Sequence, residues 1–143
     1  MALEFGLPYT IINARAGTAW ISTQTTISAF IIMFLMGRAT SNDTVWILED
    51  AGDGFVRIKN LNGLGKYFCL EGDISNGTRA ICSAHQQTWR IFPESGDPSR
   101  FRIAFSSTNS VIDLDNGNPT PGTRVQIWGN DSPNEVWFFV PKV

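Results

Sequence analysis

Three tryptophans close three similar phrases in this chain, and that repeat constrains its fold more than any other feature. The phrases are N-D-T-V-W-I-L-E at Trp46, H-Q-Q-T-W-R-I-F at Trp89 and P-N-E-V-W-F-F-V at Trp137, spaced by 43 and 48 residues. Each of the first two is followed by a Gly/Asp turn and a strand of matching pattern: F-V-R-I-K-N after Asp53-Gly54, and F-R-I-A-F after Gly96 to Arg100. The opening strand, Y-T-I-I-N-A, supplies the third copy. A unit used three times needs its neighbours to bury its apolar face, so the copies form one body.

The units read as strands. Between clusters of Gly, Pro, Asn and Asp the runs are short and rich in Ile, Val, Phe and Trp. No window shows a long 3.6-residue period bounded by caps. Ile27 to Met36 admits a buried helical turn or two, but its β-branched and aromatic content and its place in the repeat predict a strand. Four strands per unit give twelve, too many for a flat open sheet of this size, so the expected fold is all-β, a closed barrel with threefold pseudosymmetry. Repeat one is expected over about residues 9–53, repeat two over 54–98 and repeat three over 99–142, in a single domain spanning 1–143. The first eight residues read as a loose or swapped arm.

With 143 residues, 43% hydrophobic and 17% charged, the chain has the size and composition of one globular domain. A net charge of −2 without a basic run gives no electrostatic support for a nucleic-acid partner. The longest largely apolar stretch, Ile27 to Met36, is half of the roughly 20 residues a membrane-spanning helix requires. The N-terminus lacks a basic start and an apolar core, so no secretory signal is visible and a cytoplasmic location is expected. On that expectation, the sequons at Asn42, Asn76 and Asn130 are chance.

Candidate chemistry gathers between Ser110 and Phe139, which reads as strand, turn, strand, short loop, strand. Asp113 lies between Ile112 and Leu114, so alternation sends its side chain to the face opposite theirs. Gln126 between Val125 and Ile127 reads the same way, and Trp128 ends its strand beside the polar loop Gly129 to Pro133. Asn134 follows, with Asn130 and Glu135 flanking it. A carboxylate, two amides and a large aromatic are the groups that hold a sugar: polar groups bond adjacent hydroxyls while the ring covers an apolar C–H face. The alternatives are a turn-capping role for Asp113 at Asn116-Gly117 and a turn-forming role for Asn134 after Pro133.

The three Trp-terminated copies, with V-Q-I-W and N-E-V-W in the third, resemble the ricin B-type lectins, β-trefoils marked by Q-x-W repeats. The phrase Y-T-I-I-N-A-R-A-G-T is similar to the small single-domain lectins of fungi. The resemblance implies that Trp46, Trp89 and Trp137 are core. In repeat three it implies that Asp113 chelates two sugar hydroxyls, with Gln126 the amide on the next strand and Trp128 the stacking aromatic. The family's Asn-Gln pair falls on Asn134 and Glu135, where the second member departs. In repeat two, Glu71 is expected at the carboxylate position, Ile81 at the amide and Ser83 at the aromatic, which makes that site dead. Repeat one has no carboxylate in G-T-A-W-I-S-T-Q, and Gly37 or Phe34 falls at its platform.

Cys69 and Cys82 are expected to face each other across one hairpin as reduced, buried thiols. His85, the only histidine, has no Cys or carboxylate at metal spacing, and no cofactor, phosphate-loop or nucleophile phrase occurs. A glycosidase needs two carboxylates roughly 5–10 Å apart across one cleft, which the spacing here does not demand.

Two functions follow. One is a non-catalytic, metal-free module for glycans ending in galactose or N-acetylgalactosamine, with one live site. The other is a lectin-like trefoil whose partner is a protein, as in a protease inhibitor or an enzyme-associated subunit. Residues 27–36 would put about five apolar side chains on an outward face, a patch of the size that marks a contact surface. A homodimer built through Ile27, Phe30, Ile31 and Met33 is therefore expected. The competing account lays the N-terminal arm over that face through Leu3, Phe5 and Leu7.

Overall fold

The computed structural model describes residues 3–22, 29–35, 44–61, 65–120, 122–130 and 132–142; for 21, 22 and 29–35 it describes the backbone alone. Twelve strands run through it: β1 Tyr9–Asn13, β2 Thr18–Ser22, β3 Ala29–Leu35, β4 Trp46–Gly52, β5 Phe55–Asn60, β6 Tyr67–Leu70, β7 Ala80–Ser83, β8 Trp89–Glu94, β9 Asp97–Phe105, β10 Ser110–Leu114, β11 Val125–Gly129 and β12 Trp137–Pro141. Six of them close a ring of antiparallel ladders in the order β1, β4, β5, β8, β9, β12 and back to β1. Closure leaves those strands without a free edge for a further strand to pair with. The other six form three hairpins, β2–β3, β6–β7 and β10–β11, one per repeat. This is the β-trefoil that the repeat predicts.

The tryptophans of the three phrases start β4, β8 and β12, and each is fully buried. Each also pairs with the strand that opens a repeat: Trp46 with Tyr9, Trp89 with Val56 and Trp137 with Phe101. Trp20 joins them inside, stacked on Phe68 at 4.3 Å and edge-on to Trp46 and Trp137. Such ring pairs add about 1 kcal/mol each beyond the area they bury. Two of the indoles also anchor the hairpins to the barrel: Trp89 Nε1 donates to the Phe68 carbonyl at 3.1 Å, and Trp137 Nε1 to the Ile112 carbonyl at 3.0 Å.

Residues 29–35 form a strand paired with β2, as the β-branched content predicts. The side chains of Phe30, Ile31 and Met33, and Ile27 entirely, lie outside the described residues, as do Gly37 and the side chain of Phe34. The N-terminal arm is not loose. Gly6 N donates to the Leu48 carbonyl and Glu4 N to the Tyr9 hydroxyl, both at 2.9 Å. Leu3 and Phe5 line an apolar cleft of about 350 Å³ with Leu48, Val56, Ile91, Pro93, Pro98 and Phe101. The arm therefore packs against β4, β5, β8 and β9 of its own barrel, because its leucines find buried apolar partners there.

Candidate functional site

The β10–β11 ladder sets which side chains of repeat three share a face. Its register pairs Val111 with Trp128, Ile112 with Ile127, Asp113 with Gln126 and Leu114 with Val125. Partners in an antiparallel ladder point the same way and neighbours along a strand point oppositely. Ile112, Ile127, Leu114 and Val125 enter the core. Asp113, Gln126 and Trp128 therefore share the outer face, with Trp128 diagonal to the carboxylate.

Asp113 and Gln126 are only 5% and 3% exposed, whereas Trp128 is 38% exposed and presents its ring to solvent. Gln126 Nε2 donates to Asp113 Oδ2 at 2.9 Å, and Gln126 Oε1 accepts from Arg124 Nη2 at 3.2 Å. The guanidinium, which can only donate, takes the amide oxygen and so turns the amide nitrogen toward the carboxylate. Asp113, Gln126 and Trp128, with Asp115, Asn116, Ser132 and Asn134, line a polar cleft of about 200 Å³. Asp115 to Gly117 form a single 3-10 turn, and Ser132 caps a second one at Pro133–Glu135.

Four sequence candidates, Asp113, Gln126, Trp128 and Asn134, thus meet in one cleft. Asn130 and Glu135 are outside its lining and serve Arg102 instead. Arg102 Nη1 donates to Asn130 Oδ1 and to the Ser132 carbonyl, each at 3.0 Å, and pairs with Glu135 Oε1 at 3.3 Å, while its Nε binds Glu94 Oε2 at 2.7 Å. Glu135 Oε1 also accepts from Ser132 N at 3.0 Å, closing a reciprocal cap in which Ser132 Oγ accepts from Asn134 N at 3.1 Å. Sequence reasoning missed Arg102, whose partners lie up to 33 residues away. It also missed Asp115, Asn116 and Ser132, which are common turn formers.

Part of the wall beside Trp128 comes from repeat two. Gly77 N donates to the Ile127 carbonyl, Ile127 N to the Thr78 carbonyl, and Asn76 Oδ1 accepts from Gly129 N. A Cβ on Gly77 would lie 3.8 Å from Trp128 Cζ3, so that backbone borders one edge of the ring.

The same ladder logic corrects the alignment of repeat two. Phe68 and Ile112 are equivalent because each gives its carbonyl to the repeat tryptophan. One residue on, Cys69 falls at the Asp113 position, not Glu71. Glu71 matches Asp115, since Glu71 N donates to the Arg79 carbonyl as Asp115 N does to that of Arg124. Cys69 pairs with Ile81, and Ser83 follows at the position of Trp128. A thiol and an isoleucine thus replace the carboxylate and the amide. Cys69 Sγ and Ser83 Oγ are 3.1 Å apart, and burial, only partly opposed by the Ser83 hydroxyl, raises the Cys69 pKa. In repeat one the register pairs Ile21 with Ile32 and Ala19 with Phe34.

Cys69 and Cys82 are both buried but do not face each other. The register sets Cys82 opposite Phe68 and Cys69 opposite Ile81, so the two thiols lie on opposite faces of the hairpin. His85 is exposed just after β7.

A family model described as a ricin-type beta-trefoil lectin domain-like domain matches residues 42–128, more than half of the chain. The chain belongs to that family. Solved structures of the trefoil match end to end. The ricin B-like lectin of Macrolepiota procera, determined in complex with lactose, is 24% identical, with 99% of this chain and 100% of that one covered at a TM-score of 0.89. The Rhizoctonia solani agglutinin is 22% identical, with 99% of each chain covered and a TM-score of 0.87. The designed threefold-symmetric protein ThreeFoil is 21% identical, covers 94% of this chain and 99% of its own, and gives 0.85. At such identities these structures establish the fold of this ricin-type trefoil, not its ligand. No curated protein matches its sequence.

Proposed function

We propose that the chain is a non-catalytic carbohydrate-binding protein that takes a terminal galactose-type sugar in the β10–β11 cleft of its third repeat. The observation that carries this reading is the shared outer face of Asp113, Gln126 and Trp128. It sets a buried, amide-braced carboxylate beside an exposed indole. An axial hydroxyl next to an equatorial one lets a single carboxylate accept from both, while the C–H face of the ring lies on Trp128. The lactose complex of the Macrolepiota lectin supports a galactose-containing ligand for this trefoil too. Both carboxylates of the cleft, Asp113 and Asp115, come from one strand end rather than from opposing walls, which favours binding over glycoside hydrolysis.

One shallow cleft of this kind corresponds to a Kd of about 1 mM, or about −4 kcal/mol. Useful avidity then needs two chains presenting sites together, and the homodimer through Ile27, Phe30, Ile31 and Met33 would supply them. Retention on galactose-agarose with elution by free lactose tests the function. Trp128→Ala should abolish retention without loss of folding. Passage of the folded wild-type chain through galactose, N-acetylgalactosamine and mannose resins alike would refute sugar binding and favour a protein partner. Sedimentation at micromolar concentration tests the dimer.

A further inference from the structure

Arg15 belongs to repeat one, in the turn between β1 and β2, yet its side chain ends at the cleft of repeat three. Its Nη1 donates to Asn134 Oδ1 at 2.8 Å. The turn is held for this by Asn13, fully buried, whose Oδ1 accepts from Arg15 N at 3.0 Å and from Ala16 N at 2.9 Å. The same Asn13 donates through Nδ2 to the Asn134 carbonyl at 3.0 Å, so one side chain ties the arginine's turn to the asparagine's. With Asn134 N on Ser132 Oγ, both backbone polar groups of Asn134 and its amide oxygen are engaged. Gly117 lies beneath the pair at φ +62°. A Cβ there would run into Asn134 Oδ1 and come within 3.3 Å of Arg15 Cδ. The turn thus carries a residue without a Cβ where Arg15 and Asn134 meet.

An amide whose oxygen is held toward a guanidinium turns its N–H groups to the opposite side. We propose that Arg15 is a specificity-determining positioning residue, which holds the Asn134 amide so that its nitrogen, not its oxygen, faces the ligand. Resting on the sugar-binding reading, this assigns a ligand chemistry to that corner of the cleft. A hydroxyl there accepts from Asn134 Nδ2 while it donates to a carboxylate of the cleft. Such a group must be both donor and acceptor, so neither a deoxy position nor a fluorine, which cannot donate, replaces it. Arg124 does the same for Gln126, whose amide nitrogen meets the Asp113 carboxylate in the cleft that Asn134 also lines.

The test uses the full chain, with methyl β-galactoside and its monodeoxy and monofluoro derivatives as probes. Wild type should discriminate against loss of one hydroxyl by about tenfold, the equivalent of one well-made hydrogen bond. Arg15→Met should shrink that ratio to near unity at this hydroxyl and leave the ratios at the others unchanged, and Arg15→Lys should restore part of it. Asn134→Asp, which keeps a partner for Arg15 but removes the donor, should bind as poorly as Asn134→Ala. An unchanged ratio in Arg15→Met, or wild-type affinity in Asn134→Asp, would overturn the proposal. The ligand-free protein separates this from the sugar reading. The Asn134 side-chain amide resonances should move in Arg15→Met, and if they stay fixed the positioning role is lost. If they move while wild type binds none of the galactosides, the amide is held as described and the ligand class is what fails.

Discussion

Cys69 stands in the second repeat where Asp113 stands in the third, each one residue beyond the carbonyl that receives the repeat tryptophan. The backbone is threefold, but the chemistry is not. At the paired outer positions of the second and third hairpins the chain carries Cys69 and Ile81, then Asp113 and Gln126. A buried carboxylate requires hydrogen-bonded partners to offset its desolvation, and only the third hairpin supplies an amide opposite it. Loss of the amide and loss of the carboxylate therefore go together in the second.

Asp113→Asn keeps the shape of that pair and removes its charge. Hydrogen bonds to a charged group contribute about 1.5–3 kcal/mol, so binding should fall by roughly 10- to 100-fold. The melting temperature should stay within a few degrees, because Gln126 keeps an oxygen to donate to. Titration calorimetry and a thermal melt on the same sample decide it. A chain that unfolds instead would mean that Asp113 serves the turn at Asp115–Gly117 rather than a ligand.

The repeat and the alternation around Asp113 and Gln126 were legible because both are local patterns: a period of about 45 residues, and a period of two along a strand. The two-residue error that put Glu71 at the carboxylate position arose from matching letters, Glu to Asp. The register is fixed instead by an indole hydrogen bond to a backbone carbonyl, which leaves no trace in composition. Arg15 and Arg102 were invisible for a related reason. An arginine's partners are chosen by tertiary proximity, 119 residues away for Arg15 and 33 for Arg102. Glu135 read as a family amide gone wrong, yet it is a turn-capping carboxylate whose partner is one of those arginines.

Arg102→Met should cost far more stability than the loss of a solvated surface charge. It removes the cation paired with the Glu135 side chain, 0% exposed, and breaking a buried pair of that kind costs about 3 kcal/mol. A domain of this size should then melt roughly 10 °C lower. Arg57→Met is the control. Its partner Glu49 and Arg57 itself are each 29% exposed, and a pair so solvated contributes about 0–1 kcal/mol. Equal melting temperatures for the two variants would contradict the structural role assigned to Arg102.

Alkaline pH should loosen the second repeat. Burial raises the Cys69 thiol above its ordinary 9.0, and burial with the hydrogen bond to Glu49 raises the Tyr67 hydroxyl above 10.0. A group whose folded pKa is raised is fully stabilising below its unfolded value, and its contribution is lost as pH climbs through the folded one. The melting temperature should therefore begin to fall as pH passes about 9, and these two groups give it no slope below that. In Cys69→Val with Tyr67→Phe the slope above pH 9 should be shallower. An unchanged slope would place the alkaline titration elsewhere.

If three positions separate a live hairpin from a dead one, changing them should bring the second site back. Cys69→Asp, Ile81→Gln and Ser83→Trp place a carboxylate, its amide and a platform on ladder positions matching those of repeat three. The order matters physically: Cys69→Asp alone buries a carboxylate opposite Ile81 and should destabilise the fold by a few kcal/mol, while Ile81→Gln should recover part of that loss. The triple variant is best made in a Trp128→Ala background, where the third site no longer holds sugar. Retention on galactose-agarose in that chain, with none in the Trp128→Ala parent, is the expected result. A folded triple variant that still passes through would show that the cleft needs its turn residues as well, foremost the Asn134 amide that Arg15 holds in place.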